Sequence, residues 1–179
     1  KSTMAADFNL SMTFLTRALA TVHNGSSNVT KIRKGKDFWK NRRKLKSDWE
    51  KMEDKLEEIL KEIKNELGWS NQRWLPSVNA LIPLLYYMNN KRVRLNKKEM
   101  GHIKIYLCYT SIHSVFGGSV ESTIDDYLKV FKGPGNGLEK LKNKVRKKFS
   151  EDINDRDIRK EKNLMCKYTP VYLAYLVSE

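Results

Sequence analysis

The chain has 179 residues, of which 40% are hydrophobic, and its 35 basic and 21 acidic residues give a formal net charge of +14. This length and apolar content are sufficient for one domain with its own core, which argues against a disordered chain or a small disulfide-stapled one. The excess of positive charge favours the binding of polyanions such as nucleic acid or an anionic membrane surface. Ion-pair networks of thermophilic proteins also raise the charged content, but they do not explain such an excess.

The cysteine pattern and the N-terminal sequence predict a cytoplasmic protein. Cys108 and Cys166 are far apart and form no Cys-x-x-Cys pair, so both are interpreted as reduced thiols. No signal-peptide core or transmembrane run is apparent. Because Lys1 to Met4 lack an initiator methionine, we expect a single helical domain, residues 1–179, taken from a longer protein.

Two amphipathic helices are predicted first. Residues 4–22 carry apolar side chains at spacings of three and four, with Thr3 as the N-cap. The stretch 37–67 has a heptad-like apolar pattern that ends before Gly68. Its bases crowd the beginning and its acids follow, although the helix dipole prefers the opposite order. An arrangement that costs local stability indicates a function for those bases.

The uncharged stretch 74–88 is predicted to be the buried axis of the domain. Pro76 suits the first turn of a helix, and Pro83 is expected to kink it. A kink of this kind could hold a ligand, but bent core packing is the favoured interpretation. The apolar helix 97–116, opened by an Asn96–Glu99 capping box, should lie beside this axis.

The remaining elements are also predicted to be helical. Ser122-x-x-Asp125 resembles a second capping box, and the glycine-rich run 133–137 separates that helix from a strongly basic one. Backbone N–H groups in this run would suit a phosphate, but a plain linker is favoured because the strand and the Gly-Lys-Ser/Thr ending of a nucleotide loop are missing. Further helices are expected at 155–167 and from Thr169.

The residues that carry chemistry do not converge on a catalytic site. The three histidines are isolated in the sequence, and no metal-ligand spacing occurs, so neither a metal nor a cofactor is predicted. Asp125 and Asp126 fall at a predicted helix start, where capping explains them without catalysis. Four tryptophans could stack on bases. Packing better explains Trp49 and Trp74, which leaves Trp39 and Trp69 as candidates.

Two segments carry a family resemblance. Residues 73–76 with 80–87, and residues 116–128, are similar to the leucine-proline, paired-tyrosine and Gly-Ser-Thr-Glu-Thr patterns of ParB-like nuclease-domain proteins related to the GmrSD modification-dependent restriction enzymes. The resemblance implies a helical region downstream of an N-terminal domain that cuts DNA in defence against phage. The motif of that nuclease domain and the His-x-x-Pro of an HNH nuclease are absent. Val115 stands where an arginine is usual.

These observations together predict an all-α multi-helix bundle around a central buried helix pair. The hypothesis for function is a non-catalytic module that contacts DNA with low specificity and positions the nuclease domain of the same full-length chain, with no membrane partner. The alternative is a structural or oligomerisation module, in which helix 37–67 pairs with a second copy. The predicted DNA-contacting residues are Lys40, Arg42, Arg43, Lys44, Lys140, Lys144, Arg146, Lys147 and Lys148.

Overall fold

The computed structural model describes residues 7–29, 41–72, 74–75, 77–90 and 95–148. Within these ranges there are six α-helices and no strand, so the predicted all-α class is confirmed. The predicted helices beyond residue 150, and Trp39 and Lys40, lie outside the described residues. The helices are α1 Met12–Asn24, α2 Arg42–Leu67, α3 Leu81–Asn90, α4 Lys97–Ile112, α5 Val120–Leu128 and α6 Gly137–Lys148, with 3₁₀ turns at Val78–Ala80 and Lys129–Lys132.

Local capping chemistry sets the helix ends. The predicted box on α4 is confirmed: Asn96 accepts a hydrogen bond from the Glu99 backbone N–H, and Glu99 accepts one from that of Asn96. Helix α1 does not run continuously from residue 4, because Ser11 caps it by accepting a hydrogen bond from the Phe14 N–H at 3.1 Å. The predicted N-cap Thr3 lies outside the described residues. The predicted C′ residue Gly68 is confirmed, with φ of 68°.

The prediction of a kinked helix from residue 76 is wrong. Helix α3 begins at Leu81, after the short 3₁₀ turn. Pro83 therefore lies in the first turn of α3, where its missing N–H is not needed by the helix ladder. The proline helps to begin this helix, and no kink has to be explained.

The segment between α4 and α5 also differs from the prediction. Helix α4 ends at Ile112, one turn before Gly117, and Ser114 adopts a positive φ of 46°. Helix α5 begins at Val120, so Ser122 cannot be its N-cap. Instead the Ser122 hydroxyl donates to the backbone carbonyl of Ser119 at 2.9 Å. The predicted second capping box is therefore wrong, and Asp125 is free to bond elsewhere.

Helix α3 lies at the centre of the bundle. Residues 81–85 are all buried, and α3 packs against α1, α2, α5 and α6. Helices α4 and α6 form the most extensive pair on the other side. The buried hydroxyl of Tyr106 on α4 donates to the Ala80 carbonyl at 3.1 Å, which joins α4 to the start of α3. The bundle therefore consists of two helical layers connected through α3.

The apolar stripe of α2 is buried within its own chain. Met52, Leu56, Ile59 and Ile63 belong to the common core. Among the large hydrophobic residues of the described ranges, Met12 on α1 is the exposed one, with 73% of its surface accessible to solvent. No described helix is long and apolar enough to cross a membrane.

Candidate nucleic-acid interface

The first predicted basic cluster lies at the beginning of α2. Asn41 caps this helix by accepting a hydrogen bond from the Lys44 backbone N–H at 3.0 Å. Arg42, Arg43 and Lys44 follow, and all three residues are exposed. Because the N-terminal end of a helix already carries a partial positive charge, these side chains add to a local positive potential.

The second cluster lies on α6, which buries a narrow apolar stripe and carries basic residues around the rest of its surface. Leu138, Leu141 and Val145 are buried at spacings of three and four. The helix contains one acidic residue, Glu139, in its first turn. A basic surface helix was predicted here, and this is confirmed. Its bases are Lys140, Lys142, Lys144, Arg146, Lys147 and Lys148.

Lys144 is engaged in a partly exposed ion pair between α6 and α5. Its Nζ lies 2.8 Å from the Asp126 carboxylate and donates to the Asp126 backbone carbonyl at 2.7 Å. The ammonium also lies 5.3 Å from the centre of the Tyr127 ring. The hydrogen bond from Lys144 is the main reason that the pKa of Asp126 is lowered. Lys144 therefore connects α6 to α5, and its charge is largely compensated before any polyanion binds.

The two clusters belong to different layers of the bundle. Helices α2 and α6 each pack against α3, and among the described helices these two share no extensive backbone contact with each other. We therefore treat the start of α2 and the exposed face of α6 as separate basic patches.

Trp69 cannot serve as a stacking platform for bases. Its side chain is completely buried in the core, so the hypothesis based on this residue is wrong. Trp49 and Trp74 are half-buried against the same core, as the packing interpretation predicted.

The adjacent carboxylates Asp125 and Asp126 have structural partners. Asp125 accepts hydrogen bonds from the Ser26 hydroxyl at 2.8 Å and from the Ser27 backbone N–H at 2.7 Å. These bonds attach the loop after α1 to the middle of α5. Together with the Lys144–Asp126 pair, they support the structural interpretation of both carboxylates.

Two histidines that are isolated in the sequence have defined environments in the fold. His23 Nδ1 lies 2.6 Å from the Asp48 carboxylate, and both side chains are largely buried. This pair joins the end of α1 to α2. Burial, and then the charge of Lys142, lowers the pKa of His102, which favours the neutral form of the ring. In the part of the chain that the structure describes, no three His, Cys, Asp or Glu residues are grouped to hold a metal ion.

The glycine-rich run before α6 has the capping chemistry of a linker. The Asn136 side-chain oxygen accepts from the backbone N–H groups of Leu138 at 3.0 Å and Glu139 at 3.2 Å. A phosphate at this helix end would compete with Asn136 for these two donors. The linker interpretation is therefore supported over a phosphate loop.

An aromatic pocket that the sequence did not reveal lies where α3, the second 3₁₀ turn and the start of α6 meet. Its volume is about 280 Å³. The centre of the Phe131 ring lies 5.9 Å from that of Tyr86 and 5.5 Å from that of Tyr87. The paired tyrosines were a visible signal, but nothing in the sequence indicated that Phe131 packs against them. The lining residues are Tyr86, Tyr87, Asn90, Phe131, Gly135 and Gly137.

Fold and surface together define an all-α helical domain with two basic patches and an aromatic pocket. Comparison of the chain with models of known protein families, with curated proteins and with solved structures found no match. A functional assignment therefore depends on the chemistry of these surfaces.

Proposed function

We propose that this chain is a non-catalytic helical module that contacts DNA phosphates and positions a nuclease domain of the same full-length protein. The observation that carries the DNA contact is the basic cluster of α6, in which six bases accompany a single acid on the same helix. Its exposed members include Lys147 and Lys148. The nuclease partner is inferred from the family resemblance of residues 73–87 and 116–128.

The contact should depend on charge and show little dependence on base sequence. Flexible lysines neutralise phosphates and release counterions, and phosphate contacts carry no sequence information directly. Arg42, Arg43 and Lys44 add a second patch of the same kind. Because Lys144 is paired with Asp126, it contributes mainly to the placement of α6.

A salt titration tests the proposal. Binding of a labelled DNA duplex should weaken steeply with salt, with a slope of about −0.9 in log K against log salt for each phosphate contacted. The triple variant Lys140→Glu, Lys147→Glu, Lys148→Glu should flatten this slope by up to about 2.7 and weaken binding to all sequences about equally.

The control for net charge is a triple variant on the far part of α2. Lys51, Lys61 and Lys64 are exposed, so changing them to Glu removes the same charge from another surface. This variant should bind DNA much more strongly than the α6 variant. If both variants lose the same affinity, the effect is one of overall charge, and a DNA-contacting face on α6 is ruled out.

The same samples test oligomerisation. The apolar stripe through which the alternative would pair two copies is buried inside the bundle, at Met52, Leu56, Ile59 and Ile63. Light scattering should therefore give a molecular mass that does not change with concentration. A concentration-dependent mass without salt-sensitive DNA binding would favour the structural alternative instead.

Absence of catalysis stays a prediction. The purified chain should not cut labelled DNA in the presence of Mg²⁺ or Mn²⁺. Cleavage that persists through stringent purification and disappears with a chelator would overturn it.

A further inference from the structure

We propose that the aromatic pocket between α3 and α6 binds one unpaired nucleobase of a nucleic-acid strand. This inference rests on the proposed function, since it adds a base-binding site beside the basic face of α6. The pocket provides three features that such a ligand needs: aromatic rings, a polar side chain at the edge and a cation beside the opening.

The aromatic rings come from two parts of the chain. Tyr86 and Tyr87 lie in the last turn of α3, and Phe131 lies in the 3₁₀ turn that follows α5. Tyr86 and Phe131 are half-buried, so their rings pack on the core while part of each stays accessible. Base stacking on aromatic side chains is the usual way in which proteins bind unpaired nucleotides, and it tolerates any base.

The shape of the pocket depends on glycine at position 137. A Cβ atom there would lie 2.6 Å from Phe131 Cδ1 and 3.0 Å from Tyr87 Cε2. Any side chain at this position would therefore displace the rings. With a volume of about 280 Å³, the pocket is slightly smaller than the range of about 300–1,000 Å³ for drug-sized ligands. This size suits a single planar ring system better than a larger molecule.

Asn90 provides a polar group at the edge of the pocket. Its Nδ2 donates one hydrogen bond to the Tyr86 backbone carbonyl at 2.8 Å. An asparagine side chain has a second N–H and a carbonyl oxygen, and these can bond to the edge of a base. The contact with Tyr86 holds the amide in place beside the rings.

The charge around the opening favours a nucleotide over a cationic ligand. The Nζ of Lys140 donates a hydrogen bond to the Pro134 carbonyl. Gly135 lines the pocket, and a Cβ atom built on Gly135 would lie 3.7 Å from the Cε of Lys140. The ammonium group of Lys140 therefore lies against the 133–135 loop, of which Gly135 lines the pocket, and we infer that the phosphate of a bound nucleotide lies on this side. The carboxylate of Glu99, which accepts a hydrogen bond from the Tyr87 hydroxyl at 3.0 Å, belongs to a residue that is only 3% exposed. A methylated lysine, the usual ligand of an aromatic cage, would be repelled by the Lys140 ammonium and would not contact the buried Glu99 carboxylate.

The test uses the full chain and a fluorescent single-stranded oligonucleotide of about 12 nucleotides, within the range of about 4–16 nucleotides common for single-strand sites. Phe131→Leu keeps an apolar side chain but removes the ring, and it should weaken single-strand binding about 5- to 150-fold. Phe131→Trp keeps a stacking surface and should retain binding. Duplex affinity and the salt slope should be unchanged in both variants, because no phosphate contact is removed.

Photo-crosslinking locates the bound base independently. A single strand that contains bromodeoxyuridine should crosslink to peptides that include Tyr86, Tyr87 or Phe131, and Phe131→Leu should reduce this product. Thermal melting of each variant verifies that it is folded. Because a severe packing defect could unfold Phe131→Leu, Asn90→Ala serves as a second variant at an exposed residue and should also weaken binding.

The results distinguish the two proposals. Salt-sensitive duplex binding with no effect of Phe131→Leu or Asn90→Ala on single strands, and crosslinks elsewhere, would overturn the pocket assignment and leave the DNA-contacting module intact. Failure to bind either nucleic acid at low salt would overturn both. A trimethyllysine peptide that binds and loses affinity in Phe131→Leu, while single strands do not bind, would assign the pocket to a cation instead.

Discussion

Helices α2 and α6 are both rich in lysine and arginine, but they differ in the number of acidic residues that accompany these bases. In α2, eight bases are matched by eight acids, and some lie close enough to pair, such as Lys55 and Glu58 at 2.6 Å. In α6, six bases accompany one acid. The number of basic residues is therefore a poor guide to which surface attracts a polyanion. Under the proposed function, the acids on the same helix decide it, and their number makes α6 the stronger candidate.

The largest expected effect concerns α3, on which both helices pack. Leu81→Asp should prevent folding, because Leu81 is completely buried and an unpaired buried carboxylate costs several kcal/mol against a total stability of about 5–15 kcal/mol. Circular dichroism and thermal melting would measure this loss. The control, Met12→Asp, alters a residue that is 73% exposed and should melt like the unaltered protein. A cooperatively folded Leu81→Asp protein would show that α3 is not the centre of the bundle.

The next prediction compares the two basic patches directly. Reversing Lys140, Lys147 and Lys148 should reduce DNA affinity by up to about 100-fold at physiological salt, because up to three phosphate contacts are lost. Reversing Arg42, Arg43 and Lys44 should have a smaller effect, since acids compensate the rest of α2. Fluorescence anisotropy with duplex DNA would measure both affinities. A larger loss of DNA affinity in the α2 variant would show that the start of α2 contributes more to binding than α6 does.

A third prediction concerns the attachment of α2 to α1. Asp48→Ala removes the carboxylate that lies 2.6 Å from His23, in a pair whose side chains are 7% and 13% exposed. The free energy of unfolding should fall by about 1–3 kcal/mol, because a buried polar group loses a hydrogen-bond partner. Denaturant unfolding would measure the change. Glu50→Ala, two residues away and exposed, should change stability by less than about 0.5 kcal/mol. Equal losses of stability in the two variants would show that the His23–Asp48 pair contributes no more to stability than an exposed glutamate does.

The smallest effect is expected at Lys144, the basic residue of α6 that already forms an ion pair with Asp126. The pKa of Asp126 is lowered mainly by Lys144, so the folded protein binds the proton of this group more weakly than the unfolded chain does. The resulting stabilisation is present above the unfolded pKa, near 3.9, and is lost as the pH falls through the lower folded value. Both side chains are partly solvated, so Asp126→Asn should lower stability by about 0.2–1 kcal/mol at neutral pH.

Thermal melts between pH 2 and 7 should therefore bring Asp126→Asn and the unaltered protein together at the acid end. The same change frees Lys144, so DNA binding should strengthen slightly, and the salt slope should steepen by up to about 0.9. Weaker DNA binding in this variant would mean that the position of α6, held by the pair, matters more than the added cation.

Prediction from sequence was most accurate where the information is local. The Asn96–Glu99 box and the Gly68 helix end follow from residues within one turn of each other, and both were found. The second capping box was wrongly placed because Ser122 and Asp125 have the required spacing, but the chain already turns into a helix at Val120. A short motif cannot show which of two neighbouring serines begins the helix.

The candidate site was predicted less completely than the helices. The basic character of α6 could be read directly from its residues, whereas Trp69 was misjudged because exposure cannot be read from a polar neighbourhood. The pairing of Lys144 with Asp126, and the pocket formed by Tyr86, Tyr87 and Phe131, depend on helices that are distant in sequence. No spacing rule connects such residues.

The sequence by itself determined the all-α class, the amphipathic pattern of α2 and α6 and the N-terminal capping box of α4, because helix formation depends on side chains three and four residues apart. The tertiary structure decided which charges are compensated and which aromatic rings meet. It brings Ser27 to Asp125, His23 to Asp48 and Phe131 to Tyr87. These contacts arise when the apolar faces of the helices pack around α3, and only that packing determines which polar and aromatic side chains lie next to each other at its edges.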